Sequence, residues 1–299
     1  MAKITLIGPG AIGSTLAAWL TQNPDHEITI AARTPFDSIE LEHPAGHFKA
    51  SPQVLTDPTQ ARVADWVLVA TKAYDSAAAA RWFDKSFGEQ TRLAVIQNGV
   101  EHIERFSRYL DAKRIVPVMI DCPATRHSPG RVTQGGPIHM VVPEGSHGAA
   151  FVGLFSGLGL DVRETSDFAT AVWKKLCLNS AGAVSAALLA PAGIAHHAGV
   201  AEIQREIVRE CIAVGRARGA LLGDEIADDI VQRMQRGPRD ASNSMLADRR
   251  AGRPMEIDAR NGVIVRLGRE HGILAPMNAL MVALLEAIEL GTPAKQPAK

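Results

Sequence analysis

The stretch Lys3-Ile-Thr-Leu-Ile-Gly-Pro-Gly-Ala-Ile-Gly-Ser-Thr-Leu-Ala-Ala-Trp-Leu20 determines the fold expected for the whole chain. Ile4–Ile7 is a short β-rich run of strand length, and Ala11–Gln22 has helical composition up to the stop at Asn23-Pro24. Between them, Gly8-Pro9-Gly10-Ala11-Ile12-Gly13 spells GxGxxG in the strand-to-helix setting that dinucleotide sites use. The first glycine permits the tight turn, the second lets backbone approach a pyrophosphate, and the third packs helix on strand. The helix amides then face the phosphates. A glycine-rich turn can be only a turn, but strand, helix and N-terminal placement together favour dinucleotide binding. The same glycines interrupt the apolar run of Met1–Leu20, which therefore reads as strand, turn and helix and not as a secretion signal.

The kind of nucleotide is read about twenty residues further on, where an NAD enzyme places an acid on the ribose hydroxyls. This chain has Ala31-Ala32-Arg33-Thr34 there, with no carboxylate. An arginine suits a 2′-phosphate, so NADPH/NADP+ is the expected cofactor and Arg33 one of its ligands. The bland alternative is a solvated surface arginine.

Further strand-length apolar runs follow at Ile28–Ala32, Trp66–Thr71, Leu93–Gln97 and Ile115–Ile120. Such runs suit parallel strands buried on both faces. Helical patches at Ser76–Phe87 and Glu101–Leu110 alternate with them. Arg131–Thr133 and Ile138–Val142 flank Gly135-Gly136-Pro137 and are expected to pair as an antiparallel hairpin. After about Thr165 strand signals vanish, and Val200–Gly219 repeats apolar residues at helical spacing. The expected fold class is α/β: an N-terminal Rossmann-type doubly wound sheet followed by an all-helical C-terminal domain. Residues 1–165 would bind NADP, and residues 166–299 would form the helical substrate and catalytic domain. The tail Thr292–Lys299 is expected to fray.

The 299 residues balance 32 Lys plus Arg against 32 Asp plus Glu, which argues against a nucleic-acid partner. The longest apolar stretches, 149–160 and 181–195, fall short of the roughly 18 residues a membrane span needs. Neither partner is expected. Cys122, Cys177 and Cys211 are widely spaced without a CxxC, which fits a reducing cytoplasm and neither a disulfide framework nor a zinc site. His43 with His47 and His196 with His197 lack a third ligand, so no metal is expected. No GxSxG signature suggests nucleophilic hydrolysis.

In Val172–Ser180, Lys175 and Asn179 are four apart and share a helix face, while Lys174 points elsewhere. Reduction of a ketone by hydride leaves negative charge on oxygen, which a nearby ammonium can stabilise and protonate. By spacing alone, a lysine on an amphipathic helix is more often a snorkelling surface residue. Ser244 can be a helix cap, and Glu256, two residues after Pro254, a first-turn complement to a helix dipole.

Taken in order, these residues resemble the ketopantoate reductases (2-dehydropantoate 2-reductases) over nearly the whole chain. The likeness rests on Gly8–Gly13, Arg33, Val69-Ala-Thr-Lys72, Gln97-Asn98-Gly99, Trp173-Lys-Lys175 with Asn179, Ser244-Met-Leu with Asp248, Glu256-Ile-Asp with Asn261-Gly262, and His271–Pro276. The resemblance implies an NADPH-dependent reductase of a small 2-oxo acid, with the active site between its two domains. Lys175 would be the general acid, and Asn98 would sit between nicotinamide and substrate. Asn179 and Ser244 would hold substrate oxygens, Glu256 would lie against cofactor or substrate, and Lys72 and Arg33 would serve the adenosine phosphate. A homodimer is left open as the oligomeric state. Two family asparagines are replaced, by Ala183 and Ala192, and the strand end Met119-Ile-Asp121-Cys122-Pro123 is atypical. The chemistry expected is reduction of 2-dehydropantoate to pantoate. The alternatives are a same-scaffold reductase of a less polar 2-oxo acid, its pocket opened by the two alanines, and a catalytically silent NADPH-binding sensor.

Overall fold

The computed structural model describes residues 1–291, so the expectation for the tail beyond falls outside the described residues. Strand β1 (Ala2–Ile7) runs into the glycine turn and on into helix α1 (Ala11–Leu20). β2 (His26–Ala31), β3 (Ile39–His43), β4 (Gly46–Ala50), β5 (Gln53–Leu55), β6 (Trp66–Val69), β7 (Arg92–Val95) and β8 (Ile115–Pro117) follow. Six of these form one sheet in the order β5-β2-β1-β6-β7-β8, every pair parallel. The order reverses between β1 and β6, the switch point where α/β sheets bind nucleotides.

Alternate residues of the apolar runs feed two cores. Ile4, Leu6, Ile30, Leu68 and Ala94 join one apolar cluster, whereas Ile7, Ala31, Val67, Val69, Leu93 and Val95 join the other. A strand buried on both faces has no polar alternation to show, which is why these strands read as continuous runs. The helices of this part are short: α2 (Ser76–Ala80) and α3 (Phe83–Ser86) split the patch expected as one helix, followed by α4 (His102–Phe106) and α5 (Ser146–Leu154).

Two strand expectations are corrected. The run Ile115–Ile120 is two strands: β8 closes the large sheet, and β9 (Met119–Asp121) pairs with β12 (His139–Pro143) in a smaller one. The expected hairpin does not form. β10 (Ala124–Ser128) pairs antiparallel with β11 (Arg131–Gln134), which also lies parallel to β3, whereas β12 pairs parallel with β13 (Asp161–Thr165). The reason lies in the linker: Gly135 N donates to Pro123 O at 2.6 Å and the Gln134 side-chain amide to Gly136 O at 2.7 Å. Pro137 has no N–H for a ladder. The segment therefore carries the chain from one sheet to another.

Two compact units result: Met1–Gln97 with Glu101–Phe168, and Asn98–Val100 with the chain from Ala169 on. The regular elements of the second, among its described residues, are all helical: α6 (Phe168–Ala181, its first residue in the first unit), α7 (Ala183–Leu188), α8 (Ala198–Ala217), α9 (Ile226–Arg236), α10 (Ser244–Arg250), a π-helical turn at Asp258–Gly262, α11 (Val263–Glu270) and α12 (Pro276–Gly291). Its core includes a buried polar lattice. The Asn261 amide donates to Asn278 Oδ1 at 2.9 Å, and Asn278 donates in turn to Glu210 Oε2 at 2.7 Å. Glu210 also accepts from the amides of Met277 and Asn278, at 2.8 and 2.9 Å, and so satisfies the start of α12. Among the described residues, no helix is long and apolar enough to cross a membrane.

Candidate functional site

In the first unit the glycine turn shows why each glycine is needed. Gly8 has φ +91°, and a Cβ there would lie 2.6 Å from Thr71 Cγ2 and 2.8 Å from Thr71 N. A Cβ on Gly13 would lie 2.2 Å from the Gly8 carbonyl oxygen. Gly10 is different: nothing lies within 4 Å of where its Cβ would be, and it caps α1 without a side chain. No acid stands in the first turn of α1, where the leading helix amides lack intrahelical acceptors. That is a cradle suited to a phosphate. Pro9 and Ala11 are tied into the helix through their carbonyls, which accept from Ser14 Oγ (3.1 Å) and Thr15 Oγ1 (2.8 Å). Ile12 follows in the first turn, half-buried.

Lys72 follows β6 and is half-buried. The loop it begins is held by Gln97, which the sequence offered only as part of the Gln97-Asn98-Gly99 motif, without a role of its own. Gln97 is 5% exposed, and its amide donates to Thr71 Oγ1 at 3.0 Å and to Lys72 O at 3.3 Å. Its own carbonyl oxygen accepts from Ser76 Oγ at 3.2 Å. The signal was a glutamine ending an otherwise apolar strand. Arg33 follows β2 with its side chain 90% exposed, and its Nη2 lies 3.7 Å from Asp75 Oδ2. An exposed pair at that distance is weak, so the guanidinium remains available to a phosphate. Among the described residues no group of three His, Cys, Asp or Glu could hold a metal ion, and His43 stacks on Trp19 and Phe48.

In the second unit, α6 buries Trp173, Leu176, Cys177 and Ser180. Lys174 is exposed, whereas Lys175 and Asn179 are half-buried on one shared face. Burial pushes the Cys211 thiol well up, beside Cys177, which keeps it a poor nucleophile. The cap of α10 is Asn243, not Ser244: Asn243 Oδ1 accepts from Leu246 N at 3.0 Å, and its Nδ2 donates to Gly182 O at 2.9 Å. Asn243 thus ties the start of α10 to the junction after α6. Ser244 is left exposed, its hydroxyl oxygen accepting from Arg260 Nη2 at 2.5 Å.

Glu256 is 4% exposed and precedes the π-helical turn. Its Oε2 accepts from Asn98 Nδ2 at 2.8 Å, so two residues distant in sequence meet directly. Arg260 was not singled out from sequence. Its neighbours Asp258, Ala259, Asn261 and Gly262 look like a surface turn, yet its side chain is among the largest fully buried ones. Burial pulls the guanidinium below its ordinary pKa, while the charges of Glu256 and Asp248 hold it up. Ala183 is fully buried in an apolar cluster with Val184, Met245 and Met255. It does not line an open pocket as the sequence suggested. Ala192 is half-buried, its amide donating to Ala241 O at 2.9 Å.

Residues 4–147 match the family described as Ketopantoate reductase PanE/ApbA, and residues 167–289 match Ketopantoate reductase PanE/ApbA C terminal. The 2-dehydropantoate 2-reductase of Caulobacter vibrioides is 50% identical over 290 residues, covering 97% of this chain and 100% of that protein. The enzyme of the same name from Mycobacterium tuberculosis is 37% identical over 295 residues, covering 96% and 98%. A PanE/ApbA family ketopantoate reductase from Ralstonia eutropha superposes with TM-score 0.89 at 30% identity, covering 97% of this chain and 99% of that one. With the glycine cradle in one unit and Lys175, Asn98 and Glu256 in the other, the chain belongs to the ketopantoate reductase family and is an oxidoreductase.

Proposed function

We propose that the protein reduces 2-dehydropantoate to pantoate with NADPH. The observation that carries this reading is the 2.8 Å hydrogen bond from Asn98 to the buried Glu256, in the unit that also carries Lys175 and Asn179. A nucleotide-binding scaffold alone has no use for a buried acid holding an amide in the unit that also carries a half-buried lysine. The glycine cradle with Arg33 and Lys72 fits the phosphates of a dinucleotide carrying a 2′-phosphate. When bound, the nicotinamide supplies the hydride that goes to the C2 carbonyl carbon.

The chain's own residues do the rest. As C2 gains two electrons, its oxygen becomes an alkoxide, which the Lys175 ammonium stabilises and then protonates, giving the alcohol and a neutral amine. Glu256 accepts from the Asn98 amide and so fixes the orientation of that side chain. Asn179 and Ser244 hold substrate oxygens. The three cysteines are all free, in keeping with a cytoplasmic location.

The test mixes purified protein with NADPH and a panel of 2-oxo acids and follows nicotinamide absorbance. Oxidation with 2-dehydropantoate as the best substrate is the expected result. A better rate with a less polar 2-oxo acid would assign a different substrate to the same site, and no oxidation with any member would leave a binding protein.

A further inference from the structure

Arg260 stands out among the buried groups because so little satisfies it. A guanidinium has five N–H donors, yet among the described residues this one makes a single hydrogen bond, to Ser244 Oγ at 2.5 Å. Its Nε is buried without a partner among the described residues. Asp248 lies within its field but is engaged by Arg253 Nε at 2.9 Å, and Glu256 is engaged by Asn98. An arginine left this way carries positive charge toward whatever lies beyond Ser244. Ser244 itself is exposed, so a buried charge stands behind a residue that reaches the surface. The arginine sits in the π-helical turn Asp258–Gly262, a distortion that often marks functional sites.

From this geometry we infer that Arg260 is a positioning residue that reads the carboxylate of the 2-oxo acid through Ser244. The inference rests on the proposed function and deepens it. The Ser244 oxygen accepts from Arg260, so its hydroxyl hydrogen is directed away from the guanidinium and outward, where it donates to an anion. A buried cation behind the hydroxyl polarises it further, since a donor chain strengthens each of its members. A neutral substrate would gain nothing from this arrangement, whereas a carboxylate would gain both the donor and the charge. No bond is made or broken at Arg260, and the hydride and proton steps remain as described above.

The test compares Arg260→Met, Arg260→Lys and Ser244→Ala in steady-state assays with NADPH and 2-dehydropantoate. Arg260→Met should raise KM by about tenfold or more with kcat changed only a few-fold, as loss of a charge-assisted contact implies. The affinity for NADPH, measured by fluorescence titration, should stay within about twofold, which also shows that the variant folds. Arg260→Lys keeps the charge and should recover much of KM. In a double-mutant cycle, Arg260→Met on top of Ser244→Ala should cost much less than it does alone. A kcat collapse at unchanged KM, no recovery by lysine, or full additivity with Ser244→Ala would each overturn the assignment. Wild-type protein that leaves NADPH unoxidised would instead sink the function itself, and this role with it.

Discussion

Lys174 and Lys175 show how much one residue's position along a helix decides. A rotation of about 100° per residue separates them, and the structure leaves one exposed and the other half-buried. Lys175→Ala should lower kcat roughly 100- to 10,000-fold with NADPH affinity nearly unchanged, while Lys174→Ala should do little. Equal effects in steady-state kinetics would show that neither acts as the acid. Gly13→Ala makes a different point. The new methyl would meet the Gly8 carbonyl oxygen at 2.2 Å, and backbone cannot yield as a flexible side chain can. A loss of about 1–3 kcal/mol in thermal or urea unfolding is expected, with NADPH no longer raising the melting temperature. A melt that NADPH still shifts would show that the turn is not the phosphate cradle. The helix spacing made the lysine legible. Arg260 was not legible, because a run of Asp, Ala, Arg, Asn and Gly looks solvated until the tertiary structure buries it. Ala183 was read as a pocket wall for the same lack: the sequence shows which residue is missing, not what packs there.

At the level of elements, parallel strands were the clearest features, since burial on both faces leaves an unbroken apolar run. In the half-exposed β3–β4 hairpin, Ile39-Glu-Leu-Glu-His43 buries only Ile39 and Leu41, and β4 only Ala50, so both strands hid among polar residues. Gly135-Gly136-Pro137 looked like a hairpin turn, but what it joins depends on Pro123 and Gln134, which no local pattern shows. The start of α10 was misplaced by one residue, and the cap proved to be Asn243. Its two hydrogen bonds, to Leu246 N and Gly182 O, serve both the helix and its link to the chain after α6. Asn243→Ala should therefore cost about 1–2 kcal/mol, read as a lower urea midpoint for fluorescence of Trp173 in the second unit. Because Ser244 is placed by the same cap, KM for the 2-oxo acid should rise as well. An unchanged midpoint would mean that the cap is dispensable.

For the molecule as a whole, the residues proposed to bind the cofactor and those proposed to handle the 2-oxo acid lie in separate units of the chain. The first carries the glycine cradle, Lys72 and Arg33, and the second carries Lys175, Asn179, Ser244, Glu256 and Arg260, with Asn98. Cofactor choice and proton delivery should accordingly be separable by mutation. Arg33→Ala should weaken NADPH, leave NADH binding as it was, and spare the 2-oxo acid. We propose that this family member is an NADPH-dependent 2-dehydropantoate reductase. The most direct test of that is kcat/KM for NADPH and for NADH in one protein preparation, at saturating 2-dehydropantoate. The predicted result is turnover to pantoate with NADPH favoured at least about tenfold, a difference of about 1.4 kcal/mol. No pantoate, or equal values for the two nucleotides, would contradict it.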